Sequence, residues 1–340
     1  MAAENIKKRI VSFGEILMRL SPPNLLRLSQ TKSFDVHYGG AEANVATSLS
    51  IFGLDVTFIT AVPPNELGES ALSMLRSHSV KTISAKQGSR LGIYYFEHGA
   101  SERPGKVVYD RSGSSFAELK KGMIDWESVF KEADWFHWSG ITVALSLELA
   151  DVCEEALIVA DRMGLTISSD LNYRPTLWNY GKQAYEIMPN LVQYCDVLLG
   201  GIDDSEKCLG IKVNPSDDLE VVFKHWRQKF PNLKIIASTE RYDANASSNM
   251  LSAVLWTGEK MFRSKKYNIS HIVDRIGAGD AFMAGIIYGL IHFPDDVQTA
   301  LEYAVAAGCL KHSIAGDINL ATVKEVEALM NGASGGRVVR

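Results

Sequence analysis

The chain has 340 residues, is 46% hydrophobic and carries a net charge of −5 with acids and bases interspersed, enough apolar material for one large α/β domain or two smaller ones. No basic stripe marks a nucleic-acid partner, no apolar run approaches the ~18 residues that cross a bilayer, and nothing of signal-peptide length follows Lys7-Lys8-Arg9. The expectation is a cytoplasmic protein of small-molecule chemistry, with neither nucleic acid nor membrane as partner.

In chain order, Ile10 to Phe13 predicts a strand, Ala43 to Phe52 a helix, Val56 to Ala61 a strand and Gly68 to Leu75 a helix. Trp135 to Trp138 follows as a central strand in which both tryptophans and His137 read as core. Leu147 to Met163 predicts a helix, Thr166 to Ser169 and Val197 to Leu199 strands, Asp217 to Lys229 a helix and Lys234 to Ser238 a strand. Helices over Asp280 to His292, Val297 to His312 and Thr322 to Met330 complete the series. Gly53 and Gly164 stand where helices end in a left-handed residue. Cys153, Cys195, Cys208 and Cys309 lack Cys-x-x-Cys spacing and nearby histidine pairs, so they read as core thiols and not as a zinc or disulfide framework.

This alternation predicts an α/β fold with a doubly wound, mostly parallel sheet flanked by helices. Two regions break it, Glu15 to Tyr38 and Gly92 to Asp110, where Ile93-Tyr94-Tyr95-Phe96 and Lys106-Val107-Val108-Tyr109 look like strands with no helix between. A separate small sheet accounts for both, placed over the C-terminal edge of the main sheet where open α/β folds bind ligands. The tail 331–340, rich in glycine, is expected to be flexible.

The most informative stretch is Asp274-Arg275-Ile276-Gly277-Ala278-Gly279-Asp280, which runs into the apolar block from Ala281 to Leu290. Glycines admit a ligand close to the backbone, and a helix start presents unpaired N–H groups and a dipole that favours an anion. A carboxylate repels phosphate, so the useful role for Asp280 is to take a proton from a hydroxyl that attacks phosphorus. The alternative is an ordinary capped helix start. A Gly-Lys-Ser/Thr nucleotide loop is absent, and Phe282 occupies the third glycine position of a dinucleotide fingerprint.

Val273 to Phe282 resembles the C-terminal motif of the ribokinase-like (PfkB) carbohydrate kinases, and Tyr38-Gly39-Gly40-Ala41-Glu42-Ala43-Asn44-Val45-Ala46 resembles that family's N-terminal sugar-binding motif. Asp170-Leu171-Asn172-Tyr173-Arg174-Pro175 and Val108-Tyr109-Asp110-Arg111 are similar to segments of its 2-keto-3-deoxygluconate kinases. The resemblance spans residues 9–330. It implies the ribokinase-like fold, a lid from about residues 15–38 and 90–110 that also forms a homodimer or higher oligomer, and ATP with Mg²⁺.

The resemblance further implies Asp280 as base and the amides of Gly277, Ala278 and Gly279 as anion hole. It points to Gly39, Gly40, Asn44, Tyr94, Tyr109, Arg111, Asn172 and Arg174 around the sugar, and to Ser238, Thr239, Arg241, Gly277, Gly279 and Ala307 around the nucleotide. Asp204 lies where the family has an Asn-x-x-Glu motif tied to Mg²⁺; Gly201 stands at the Asn position, so Asp204 reads either as a metal-site carboxylate or as a helix cap. Some members hold a monovalent cation near the residue matching Asp274, which leaves that requirement open. Arg111 and Arg174 suggest an acidic sugar, because a guanidinium grips a carboxylate through two charge-assisted bonds. The expected activity is ATP-dependent phosphorylation of the primary hydroxyl of 2-keto-3-deoxygluconate. The alternatives are fructokinase, ribokinase or 5-dehydro-2-deoxygluconokinase activity, or a sugar-sensing protein that has lost transfer.

Overall fold

The computed structural model of the protein describes residues 8–214 and 216–332. Its strands, in chain order, are β1 (Arg9–Phe13), β2 (Leu17–Ser21), β3 (Asp35–Gly39), β4 (Asp55–Val62), β5 (Lys81–Lys86), β6 (Ile93–Glu97), β7 (Lys106–Asp110), β8 (Trp135–Ser139), β9 (Thr166–Asp170), β10 (Val197–Leu199), β11 (Ile235–Asn245), β12 (Ser248–Trp256), β13 (Met261–Arg263) and β14 (Tyr267–Ile269). The large sheet runs β13-β12-β11-β10-β9-β8-β1-β4-β5, with β14 also on β12. Pairings from β11 to β5 are parallel, and those of β12 with β11, β13 and β14 antiparallel.

The order explains where a site can form. From β1 the chain builds outward through β4 and β5 on one side, then returns to β8, β9, β10 and β11 on the other. At such a reversal a crevice opens beyond the carboxyl ends of the strands. The central strands are buried on both faces, as parallel sheets require: all five residues of β8 are buried. Two apolar cores cover the faces, one holding Trp138, Phe136 and Trp226, the other Phe58, Phe282 and Tyr303. His137 is a core residue, its Nδ1 2.9 Å from Ser168 Oγ, and burial pulls its pKa down to about 3. Cys153, Cys195 and Cys208 are buried and Cys309 partly so, all as free thiols.

A four-stranded sheet, ordered β3-β2-β6-β7, forms from the two regions that break the alternation. Its register sorts the side chains by face. Arg19 lies opposite both His37 and Tyr94, and Tyr94 opposite Tyr109; the next row is Val36, Leu20, Tyr95 and Val108. Because successive residues of a strand point to opposite faces, these two rows belong to opposite sides of the sheet.

The Ala278–His292 helix is buried along nearly its whole length and packs on Val297–Lys311. A Cβ at Gly285 would lie 2.5 Å from Ala304 Cα, and one at Gly289 2.7 Å from Ala300 Cα, so the two backbones meet with no side chain between them. Gly53 and Gly164 do close their helices at φ of 94° and 74°. Asn331 and Gly332 cap the last helix through bonds to Glu327 and Leu329 carbonyls, while residues 333–340 lie outside the described part. Among the described residues no helix is long and apolar enough to cross a membrane.

Candidate active site

The crevice at the sheet reversal is a cleft of about 380 Å³. Its floor comes from residues just past the strand ends: Glu15 after β1, Ile141 after β8, Asp170, Asn172 and Arg174 at and after β9. Arg241 of β11 adds to it, Leu17, Tyr94, Val107 and Tyr109 of the small sheet roof it, and Gly277, Gly279 and Asp280 close one end. Gly40, Asn44, Tyr94, Tyr109, Arg111, Asn172, Arg174, Arg241 and Asp280 thus meet in one cavity although they come from all parts of the chain.

Asp280 sits in the first turn of its helix, whose cap, Gly277, has a left-handed φ of 82°. Only glycine suits this cap twice over, since a Cβ there would also lie 1.8 Å from the Asp317 carbonyl oxygen. Asn44 reaches across from the Ala41–Ile51 helix: its Nδ2 donates to Asp280 Oδ2 at 2.7 Å, and its Oδ1 accepts from the Gly40 amide at 3.3 Å. Burial raises the Asp280 pKa to about 8, with Asp170, Glu42 and Asp317 adding to the rise and the Asn44 bond opposing it. A carboxyl poised there accepts a proton more readily than an ordinary aspartate. Asp170 is pushed up to about 7, again mainly by burial and against the pull of Arg174.

The first-turn amides have no acceptor within their own helix, although Ala278 N–H leans 3.4 Å toward the Arg275 carbonyl. Nothing lies within 4 Å of where a Cβ on Gly279 would be. Gly277 and Gly279 therefore front open space with donors behind it, which suits a phosphate. Ala278 is buried and does not line the cleft.

Several expected contacts take a different form. Gly39 and Gly40 are glycines because of the protein's own atoms: a Cβ on Gly39 would strike the Asp317 carboxylate at 2.4 Å and one on Gly40 the Glu15 carbonyl at 2.0 Å. Gly39 is buried and leaves the cleft wall to Gly40. The Arg111 guanidinium is buried and already paired, with both Nε and Nη2 directed at Glu15 Oε2, while Ser114 donates to Glu15 Oε1. Arg174 is the exposed one; among the described residues its bond is to the Tyr173 carbonyl, 3.1 Å away. The Tyr94 hydroxyl is committed to Asp317 Oδ2.

Ser238, Thr239 and Ala307 stand outside this cleft. Ala307 is fully buried in the helix core and has no surface to offer a nucleotide, so its role is packing. Asp204 behaves as the helix cap: its Oδ2 accepts the Gly201 amide at 2.7 Å. Among the described residues no group of three or more His, Cys, Asp or Glu is placed to hold a metal ion. Asp317 and Glu42 are cleft residues that sequence reasoning did not single out. Glu42 lies inside the Gly-Gly motif and was within reach of it; Asp317 stands in a loop with no motif spacing.

A helix start whose glycines front open space, a raised carboxyl and a cleft under a small sheet together suit a phosphotransferase. The sequence matches the pfkB family carbohydrate kinases over residues 7–323, and the chain belongs to that family: it is an enzyme that phosphorylates a sugar. It is similar to the crystal structure of 2-dehydro-3-deoxygluconokinase from Thermotoga maritima, with a TM-score of 0.91 and 44% identity over 96% of this chain and all of that one. It is also 30% identical to the 2-dehydro-3-deoxygalactonokinase of Haloferax volcanii, over 96% of this chain and 98% of that protein. The 2-dehydro-3-deoxygluconokinase of Thermoproteus tenax is 28% identical over 94% of each.

Proposed function

We propose that the chain transfers the γ-phosphoryl group of ATP to the primary hydroxyl of 2-keto-3-deoxygluconate. The observation that carries this reading is the Asp280 carboxyl, raised to about 8 and held by Asn44 at a glycine-fronted helix start, in the cleft that Arg174 also lines. A sugar acid laid along the cleft puts its carboxylate at Arg174 and its far hydroxyl at Asp280. The hydroxyl proton passes to an Asp280 Oδ, the new O–P bond forms, and the bond to the ADP oxygen breaks. Amides of Gly277 and Gly279 receive the charge that develops on the phosphoryl oxygens. Mg²⁺ would be carried by nucleotide phosphates and water, since the Asp204 carboxylate is spent on its cap.

The small sheet serves as the lid that keeps water from the transfer. Its outer row, with Val36 at 53% and Val108 at 50% exposure, gives it an apolar face suited to a second copy of the chain. The setting is cytoplasmic.

The test is ADP release with Mg²⁺-ATP across 2-keto-3-deoxygluconate, 2-keto-3-deoxygalactonate, 5-dehydro-2-deoxygluconate, fructose and ribose. The 2-keto-3-deoxy acid should give the highest kcat/KM. A neutral sugar that outruns every acid sinks the carboxylate argument.

A further inference from the structure

The loop before the Ala278–His292 helix rests on a buried charge cluster that the transfer chemistry leaves without a task. Asp274 and Asp317 are 1% and 3% exposed, and Arg19 and Lys311 are fully buried. Arg19, from β2, donates from Nη2 to Asp274 Oδ2 at 2.7 Å and from Nη1 to Asp317 Oδ1 at 2.9 Å. Backbone amides take up the rest of Asp274: Ile276 N–H donates to Oδ1 at 3.0 Å and Gly316 N–H to Oδ2 at 3.1 Å. Lys311 comes from the end of the Val297–Lys311 helix; its Nζ donates to the Ile314 carbonyl at 2.9 Å, and its Cε is 3.3 Å from where a Cβ on Gly277 would be. Burial lowers the lysine's pKa, and the Asp274 and Asp317 carboxylates oppose that fall.

A monovalent cation beside Asp274, which the family resemblance left open, does not fit these residues. The Asp274 carboxylate already accepts three donors, two on Oδ2 and one on Oδ1, one of them a guanidinium that balances its charge. An added ion would also face a guanidinium and an ammonium in a dry interior, where like charges repel far more strongly than in water.

We infer that Arg19 and Lys311 supply from within the chain the positive charge that holds the Asp274–Gly277 loop, so that this enzyme works without a monovalent cation. Both are positioning residues: neither lines the cleft, and each acts through the loop whose amides face it. The inference rests on the kinase reading for its activity arm alone.

The first measurement is the melting temperature of the unliganded enzyme in KCl, NaCl and choline chloride at equal ionic strength. One common value is expected; a saturable rise specific to K⁺ or Na⁺ shows a bound ion and overturns the inference. The second is kcat at saturating Mg²⁺-ATP and sugar, expected to agree within about twofold in the three salts, against a stimulation of about tenfold or more that would overturn it. Third, Lys311→Met removes the ammonium at similar volume. It should lower the melting temperature, since two buried carboxylates are left with one cation, leave the sugar KM unchanged and lower kcat by about tenfold or more; an unchanged kcat refutes the positioning role. A wild-type protein that phosphorylates no sugar fails the kinase reading, yet the melting series still decides the cation question, as it does if Lys311→Met does not fold.

Discussion

Asp280, the base proposed for the transfer, also carries a structural cost. Its pKa in the folded chain, about 8, stands above the ordinary 3.8, so its favourable contribution to stability is complete below about pH 4 and is lost as pH rises through 8. Asp280→Asn should therefore melt at the same or a higher temperature than wild type at pH 8, while kcat falls by ~10² to 10⁴. For the wild type, kcat/KM should climb with pH up to about 8, because the free enzyme must release this proton before it can accept another. A pH-independent kcat/KM between 6 and 8 would speak against Asp280 as base. The two arginines separate in the same way. Arg174→Ala should raise KM for the acid sugar by about 10- to 100-fold, the worth of a charge-assisted bond, with little effect on stability. Arg111→Ala strands the buried Glu15 carboxylate and should destabilise the fold by about 3–5 kcal/mol, read by denaturant titration.

Packing at the scale of elements fixes how firmly the reactive groups are held. The Ala278–His292 helix lies against Val297–Lys311 through Gly285 and Gly289. Gly285→Ala would push a methyl to 2.5 Å from Ala304 Cα, and overpacking of this kind costs about 1–3 kcal/mol. Its effect should appear in the midpoint of chemical unfolding; a variant as stable as wild type would mean that the helices can part. Elements that sequence did not reveal have physical reasons for being hidden. The Ala184–Val192 helix carries Pro189 in its interior, which reads as a breaker. Strand β5, KTISAK, lies at the sheet edge and has no fully buried residue, so its apolar pattern is weak. Strand β11 continues past Ser238 to Asn245, whose Oδ1 accepts the Ser247 and Ser248 amides at 2.9 and 3.0 Å and turns the chain back into β12. An asparagine ahead of two serines was the available turn signal.

For the molecule as a whole, the main sheet was legible because parallel strands buried on both faces read as mostly apolar runs, as Trp135 to Trp138 does apart from His137. The small sheet was legible from the lack of helices between β6 and β7. The site was legible where motifs are local: the Gly-Ala-Gly-Asp turn and Asn44 after its glycines. It was not legible at Asp317, whose partner Arg19 is 298 residues away, nor in the pairing of Arg111 with Glu15 across 96, since no local pattern encodes a contact of that range. The outer row of the small sheet carries its own expectation. The protein should sediment as a dimer or larger, and Val108→Glu, on the face turned from the cleft, should dissociate it; a wild-type monomer at micromolar concentration would remove the lid from any role in assembly.

Arg19 lies on the small sheet, while both carboxylates it holds flank the turn that begins the Ala278–His292 helix. The Tyr94 hydroxyl of the same sheet also bonds to Asp317, so the small sheet is tied to that turn through two of its strands. The helix that carries Asp280 is in turn seated backbone against backbone on its neighbour, which anchors the far side of that joint. Val107 and Tyr109 of β7, the edge strand of that sheet, are left to form a wall of the cleft that these ties do not hold directly.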